Sequence, residues 1–331
     1  EEKLCKEFDR DTRLRNQADI NACMIPNLET LGSDYPSLLP AGQYQRRLAL
    51  MKNTDGNNHD IHNYWHHTAN NWNWDFPSRW MGQIAGDCVD LNTENDYVAK
   101  YLVDCYGQFI KMGVDGFRID TSGHISRLTF NKEFIPQFEA LGKQYENKRL
   151  NKAPFFMYGE VCTRMNDVTY RGQANLSCYF YTWKSDEALL NKWDGSKSYW
   201  DNQVIPEGSE PVGPQLLCLE ETTSPKSNNA KMLNGAWHEP DYSQSSGFNV
   251  IDFPMHYSYN TAQQAFSLAS GDECYNDATF NVVYVDSHDY SPGPSDTNRF
   301  GGTDAQWAEN LSLLFTFRGI PCLYYGSEVG F

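Results

Sequence analysis

The sequence predicts an α/β fold built on a parallel β-sheet, and two observations carry that expectation. From residue 93 to 331, helical segments of amphipathic spacing alternate with short hydrophobic runs, as strands and crossover helices do in βα units. Several of those runs end in a carboxylate, as at Asp120, Glu160 and the stretch Asp286-Ser287-His288-Asp289. Charge at the end of an otherwise apolar strand fits the rim of a parallel barrel, where the interior opens to solvent.

Taken in order, residues 1–92 form an irregular segment rich in Asn, Asp, His and aromatics, notably HNYWHHTANNWNWDFPSRW. The segment NTENDYVAKYLVDCYGQFIKMG then reads as a helix, with Val98, Tyr101, Leu102, Cys105, Phe109 and Met112 at helical spacing. Asn95 suits its N-cap and Gly113 the position just past its end. VDGFRID follows as a strand. Further helix–strand units run from NKEFIPQFEALGKQY to APFFMYGEV, from YNTAQQAFSLAS to FNVVYVDSHD, and from TDAQWAENLSLLFTFRG to IPCLYYGSE. Thr303 and Gln306 have capping-box spacing at the start of the last helix. With GFNVIDFPMHY, this makes five expected strands, at 114–120, 155–160, 248–254, 281–286 and 320–325. The segment 163–247 reads as a long irregular insertion rich in Gly, Pro, Ser and Asn. Connections of that length in a compact domain are usually functional.

A length of 331 residues and a hydrophobic share of 40% suit one large α/β domain. The net charge of −16 argues against a nucleic-acid partner, whose phosphates it would repel. No stretch reaches the roughly 18 apolar residues of a membrane span. The charged start EEKLCKEFDRDTR does not read as a signal peptide. Nine cysteines without a C-x-x-C pair suggest neither a zinc ribbon nor a dense disulfide framework, and mostly free, buried thiols are expected.

Alternation along GVDGFRID puts Gly116, Arg118 and Asp120 on one face and Phe117 and Ile119 on the other. Arg118 and Asp120 then point to the barrel mouth, where the other strand ends bring Glu160, His288 and Asp289. Helix caps or salt bridges explain one such carboxylate well, but three with Arg118 and His288 poorly. Clustered carboxylates raise one another's pKa, so one can stay protonated as an acid while an arginine keeps another ionised. Glycoside hydrolysis needs that division of labour.

At these residues the chain resembles the α-amylase family, glycoside hydrolase family 13. GVDGFRIDTSGH is similar to the family's second signature region, FMYGEV to the third and VVYVDSHD to the fourth. CVDLN resembles the short region closing domain B, and GIPCLYYGSE resembles the eighth barrel strand. The resemblance implies a (β/α)8 TIM barrel, present here as a partial barrel of strands four to eight, with residues 1–92 as a domain B-like segment. It implies retaining action on α-glucosidic bonds, with Asp120 as nucleophile, Glu160 as acid/base and Asp289 as transition-state stabiliser. Arg118 would orient Asp120, while His124 and His288 would contact sugar. Asp90 matches the family's calcium-liganding aspartate, and oxygen ligands suit Ca²⁺.

The chain departs from the pattern at three places. The family's first signature region is absent, the chain stops soon after the eighth strand, and Gly123 stands where a lysine often precedes the histidine. The sequence therefore reads as a piece of a longer protein. His62 and His66 have the i, i+4 spacing of a metal pair, but polar contacts of the N-terminal segment are the simpler reading. Trp183, with Trp65, Trp72, Trp74, Trp80, Tyr179 and Tyr181, could stack on a sugar ring, although each taken singly reads more readily as core. An α-glucan is the expected partner, and an extracellular or cell-surface location is expected for an enzyme of polymers. Transglycosylation or isomerisation by the same machinery, or an inactive glucan-binding relative, are the alternatives.

Overall fold

The computed structural model describes residues 33–39, 41–42, 45–46, 64–66, 77–82, 84, 90–162, 177–193, 242–267, 273–289, 291 and 299–329. Most of the expected domain B-like segment and much of 163–247 lie outside the described residues, including His59, His62, His67, Trp72 and Trp74.

Five parallel strands follow one another in chain order: β1 (Gly116–Ile119), β2 (Phe156–Gly159), β3 (Asn249–Val250), β4 (Val282–Val283) and β5 (Ile320–Pro321). β1 pairs with β2, β2 with β3, and β4 with β5, all parallel. A parallel bridge between Ile251 and Val282 joins the two sheets, and the Asp252 amide donates to Val282 O at 2.9 Å. The order 1-2-3-4-5 has no reversal, unlike the switch point of a doubly wound sheet. All five expected strands occur, with shorter ladders than the apolar runs that encode them.

Helix α1 (Asp96–Met112) precedes β1. The Asn95 side chain accepts from the amides of Tyr97 and Val98, and Gly113 closes the helix at φ 105°. That left-handed conformation favours glycine, and a Cβ there would also sit 2.9 Å from Lys148 O. Helix α2 (Ile135–Gln144) leads towards β2, and its N-terminus continues a π-helical turn at Phe130–Phe134. Helices α3 (Cys178–Tyr181), α4 (Phe253–Ser258) and α5 (Ala262–Ser267) follow. Helix α6 (Asp304–Thr316) opens with the expected reciprocal Thr303–Gln306 capping box. Among the described residues, no helix is long and apolar enough to cross a membrane.

Strand alternation separates two packing layers. Val103 and Ile110 of α1, Phe138 of α2, Met157 of β2 and Val250 of β3 share one core, against which Phe117 and Ile119 pack. The opposite face carries Ile251, Tyr284 and Cys162, with Tyr158 beside them. A further core joins Met255 of α4, Val283 of β4, Leu314 of α6 and Val285 just past β4.

Two expectations change here. The buried seam of α1 is Val98, Ala99, Val103, Gly107 and Ile110, whereas Tyr101, Phe109 and Met112 are exposed. Gly107 explains the rotation, because a Cβ there would lie 2.8 Å from Leu141 Cδ1 of α2. The helix meets its neighbour through small residues, which leaves several large ones outside. Part of the expected irregular insertion is also core, since Tyr179, Tyr181, Trp183 and Trp193 are buried. Of the five described cysteines, Cys162, Cys178 and Cys274 are buried, Cys105 is half-buried and Cys322 exposed.

Candidate active site

β1 delivers Arg118 to the inner face, in register with Tyr158 of β2. Its guanidinium reaches two acids: Nη1 donates to Asp120 Oδ1, and Nη2 donates to Glu160 Oε2 at 2.8 Å. Glu160 lies just past Gly159, where a Cβ would stand 2.2 Å from Ser122 Oγ and 2.4 Å from Phe248. Only glycine lets β2 approach that turn so closely, which sets Glu160 against the inner wall. Beyond β4, His288 Nε2 and Asp289 Oδ2 are 2.8 Å apart.

A cavity of about 150 Å³ gathers Arg118, Glu160, His288 and Asp289 with Tyr158, Tyr284 and Asp286. Asp120 sits on its flank, held through Arg118, and lines a second, more apolar cavity of about 400 Å³ with Tyr106, Phe117 and Phe130. Thr121, the next residue, adopts φ 44°, ψ 36°. A β-branched residue rarely takes this left-handed conformation, and such strain concentrates at functional sites.

The electrostatics divide the two neighbouring carboxyls. Burial, a hydrogen bond with Asp120, and repulsion from Asp120 and Asp289 outweigh Arg118 and push Glu160 up to about 7. Burial opposes the charge on Asp120 as well, but the hydrogen bond from Glu160 and the Arg118 guanidinium outweigh it. They hold that carboxyl below the usual carboxylate range, helped by the Thr121 amide. At neutral pH Glu160 can therefore keep a proton while Asp120 remains charged.

The other expected residues are placed differently. His124 is buried, and burial together with the Arg79 cation lowers its pKa to about 4, so its ring is neutral. Its Nδ1 lies 3.2 Å from Arg79 O. A carbonyl only accepts, so Nδ1 carries the proton and Nε2 is left as an acceptor. The Arg79 guanidinium also lies 3.6 Å from where a Cβ on Gly123 would stand. A cation thus packs beside Gly123 although the lysine of the motif is missing. Arg79 has no spacing relation to the signature regions, so the sequence offered no signal for it.

Trp183 is 3% exposed, and its indole N–H donates to Cys274 O at 2.8 Å. It lies in the core and lines neither cavity, which corrects the expectation of a sugar-stacking face. The Asp90 carboxylate is engaged by His66 Nδ1 at 2.7 Å, and His66 Nε2 meets Glu94 Oε2 at 2.7 Å. Burial disfavours charge on His66, but the two flanking acids overcome this and raise it to about 10. A cationic imidazole against Asp90 does not suit a Ca²⁺ shell. Among the described residues no three acidic, histidine or cysteine side chains converge on a metal position. His66 is instead the polar contact that the simpler reading of the histidine cluster expected.

The family description "Alpha amylase, catalytic domain" matches residues 44–180. A cyclomaltodextrin glucanotransferase of Geobacillus stearothermophilus is 24% identical over 295 residues, covering 88% of this chain and 30% of that protein. An oligo-1,6-glucosidase of Heyndrickxia coagulans is 25% identical over 249 residues, covering 73% of this chain and 37% of its own. The chain therefore spans about a third of the length of these curated relatives. Among solved structures, an Anoxybacillus α-amylase overlays 81% of this chain and 44% of its own, with 18% identity and a TM-score of 0.47. By the family description over residues 44–180 and by the curated relatives, the chain is similar to members of the α-amylase family.

Proposed function

We propose that this chain carries the catalytic centre of a retaining α-glucan-active enzyme on a (β/α)8 scaffold, of which the five parallel strands are strands four to eight. One observation carries the reading. Asp120 and Glu160 are both held by the one Arg118 guanidinium, and their pKa values are driven apart. Inverting enzymes keep their carboxyls about 6.5–9.5 Å apart to admit a water, whereas retaining enzymes hold them at about 5–5.5 Å. Two carboxyls bonded by one guanidinium are held close together, as the second geometry asks.

In the first half-reaction, the Glu160 proton goes to the glycosidic oxygen as the bond to C1 breaks. The Asp120 carboxylate attacks C1 and forms a glucosyl ester, and the leaving sugar departs as an alcohol. In the second, Glu160, now ionised, takes a proton from water as that water attacks C1 and releases Asp120. Arg118 keeps the Asp120 lone pairs aimed and charged. Asp289 lies where positive charge develops on the ring, and His288, bound to it, offers a hydrogen-bonding edge for sugar hydroxyls. A sugar hydroxyl can replace water in the second half-reaction, giving transfer rather than hydrolysis.

Polymeric glucan suits an extracellular or cell-surface setting. Glu160→Gln in the full-length protein should lower kcat on maltoheptaose by at least about 10²-fold, the usual contribution of an acid/base group. Unchanged turnover would refute the catalytic reading in favour of glucan binding alone. Product chromatography separates the two enzymatic outcomes, since oligomers longer than the substrate mark transfer.

A further inference from the structure

The turn after β5 ends in two consecutive tyrosines whose arrangement the carboxylate chemistry does not use. Tyr324 lines the cavity beside His288, with ring centroids 6.4 Å apart. Tyr325 lies just outside and is 69% exposed. Its ring packs edge-on against Tyr324, with centroids 4.7 Å apart and an interplanar angle of 68°. The Arg299 guanidinium sits 4.1 Å from the Tyr324 ring centroid and 5.2 Å from that of Tyr325.

A chain of hydrogen bonds holds this assembly from behind. Arg299 Nη1 donates to Ser327 Oγ at 2.9 Å, and Ser327 Oγ donates to Asp286 Oδ1 at 2.7 Å. Asp286 is buried and also accepts from the Phe300 amide at 3.3 Å. The Trp307 indole N–H donates to Ser327 O at 2.9 Å, which ties the turn to α6. An exposed tyrosine with no such support would gain nothing from its position. Tyr325 is instead held at the cavity rim by a ring and by a cation that is anchored through Ser327 on a buried carboxylate.

We infer that Tyr325, backed by Tyr324 and Arg299, is a sugar-stacking platform that binds a glucosyl unit of an α-glucan beyond the unit being cleaved. The inference rests on the proposed glucan activity and adds a contact outside its catalytic residues. The apolar C–H face of glucose suits an aromatic face, and a preformed ring loses little conformational freedom on binding. The contact serves longer substrates, because a short oligosaccharide filling the cavity leaves nothing to reach Tyr325. Tyr325 is a specificity residue, with no role in bond breaking.

The test compares Tyr325→Ala and Tyr325→Phe with wild type in the full-length protein, on maltotriose and maltoheptaose. Tyr325→Ala should raise KM for maltoheptaose by about three- to tenfold, the equivalent of one aromatic contact. Its kcat and its KM for maltotriose should not change, and Tyr325→Phe should behave as wild type. Calorimetric titration of maltoheptaose into Glu160→Gln, with and without Tyr325→Ala, reads the same contact without turnover. It thereby separates failure of the platform from failure of the catalytic reading. Unchanged maltoheptaose affinity, or an equal loss for both substrates, would overturn the inference.

Discussion

Two arginine–carboxylate clusters stand at strand ends in this molecule, and their ingredients are nearly the same. At the end of β3, Asp252 is fully buried and receives Arg318 Nη1, the Tyr275 hydroxyl at 2.9 Å and the Met255 amide at 3.1 Å. One carboxylate there has one guanidinium and two further donors. At the cavity, one guanidinium serves both Asp120 and Glu160, with Asp289 near enough to repel the latter. The shortage of positive charge is met by a proton on Glu160. A cluster with enough donors is a clamp, and a cluster with one cation too few holds a transferable proton.

The largest expected effect falls on the clamp. Asp252→Ala should cost about 3–5 kcal/mol of stability, because it strands a buried guanidinium. It also removes the N-cap acceptor of α4. Denaturant unfolding checks the magnitude. The double variant Asp252→Ala, Arg318→Met should recover part of the loss, since it removes the uncompensated charge. A loss below about 1 kcal/mol would mean the clamp is no more than a surface ion pair.

This pair also explains what the sequence could disclose. Asp252 and Asp120 both follow short apolar strands, and nothing in either stretch says which is sealed. Arg118 was legible because period-two alternation fixed its face and the neighbouring strand ends supplied acids for it. The caps of α1 and α6 were legible because Asn95, Gly113, Thr303 and Gln306 act within one turn of chain. Trp183 and Asp90 were not, because an indole or a carboxylate carries no record of its partner. Cys274 and His66 are distant in sequence from them. The buried face of α1 was misread for a related reason. Size ranks Phe109 and Met112 as core, but close helix contact selects Ala99 and Gly107.

Arg118→Met sharpens the comparison from the cavity side. On the proposed mechanism, Asp120 must be ionised to attack and would set the acid limb of kcat/KM. Glu160 must be protonated to donate and would set the alkaline limb near pH 7. Both limbs belong to the coupled pair. Arg118 lowers both groups, so its removal should move both limbs to higher pH. Activity at pH 5 should then fall more than activity at pH 7. A pH–rate profile that drops uniformly would assign Arg118 a purely steric role. The equivalent change in the clamp, Arg318→Met, should alter stability and leave the profile of the folded enzyme where it was.

The smallest effect concerns backbone strain, which separates the regions again. Thr121 follows Asp120 at φ 44°, a conformation that costs a β-branched residue roughly 1–2 kcal/mol. Its amide helps to hold the Asp120 carboxyl below the usual carboxylate range. Thr121→Gly would relieve the strain but enlarge the freedom of the unfolded chain by about 0.5–1 kcal/mol. The two terms leave a net stabilisation of about 0–1.5 kcal/mol, readable as a small rise in Tm. The same freedom loosens the amide that steadies Asp120, so kcat should fall while the protein gains stability. If both rise together, the left-handed turn does not hold the nucleophile, and the strain at this strand end has no part in the chemistry.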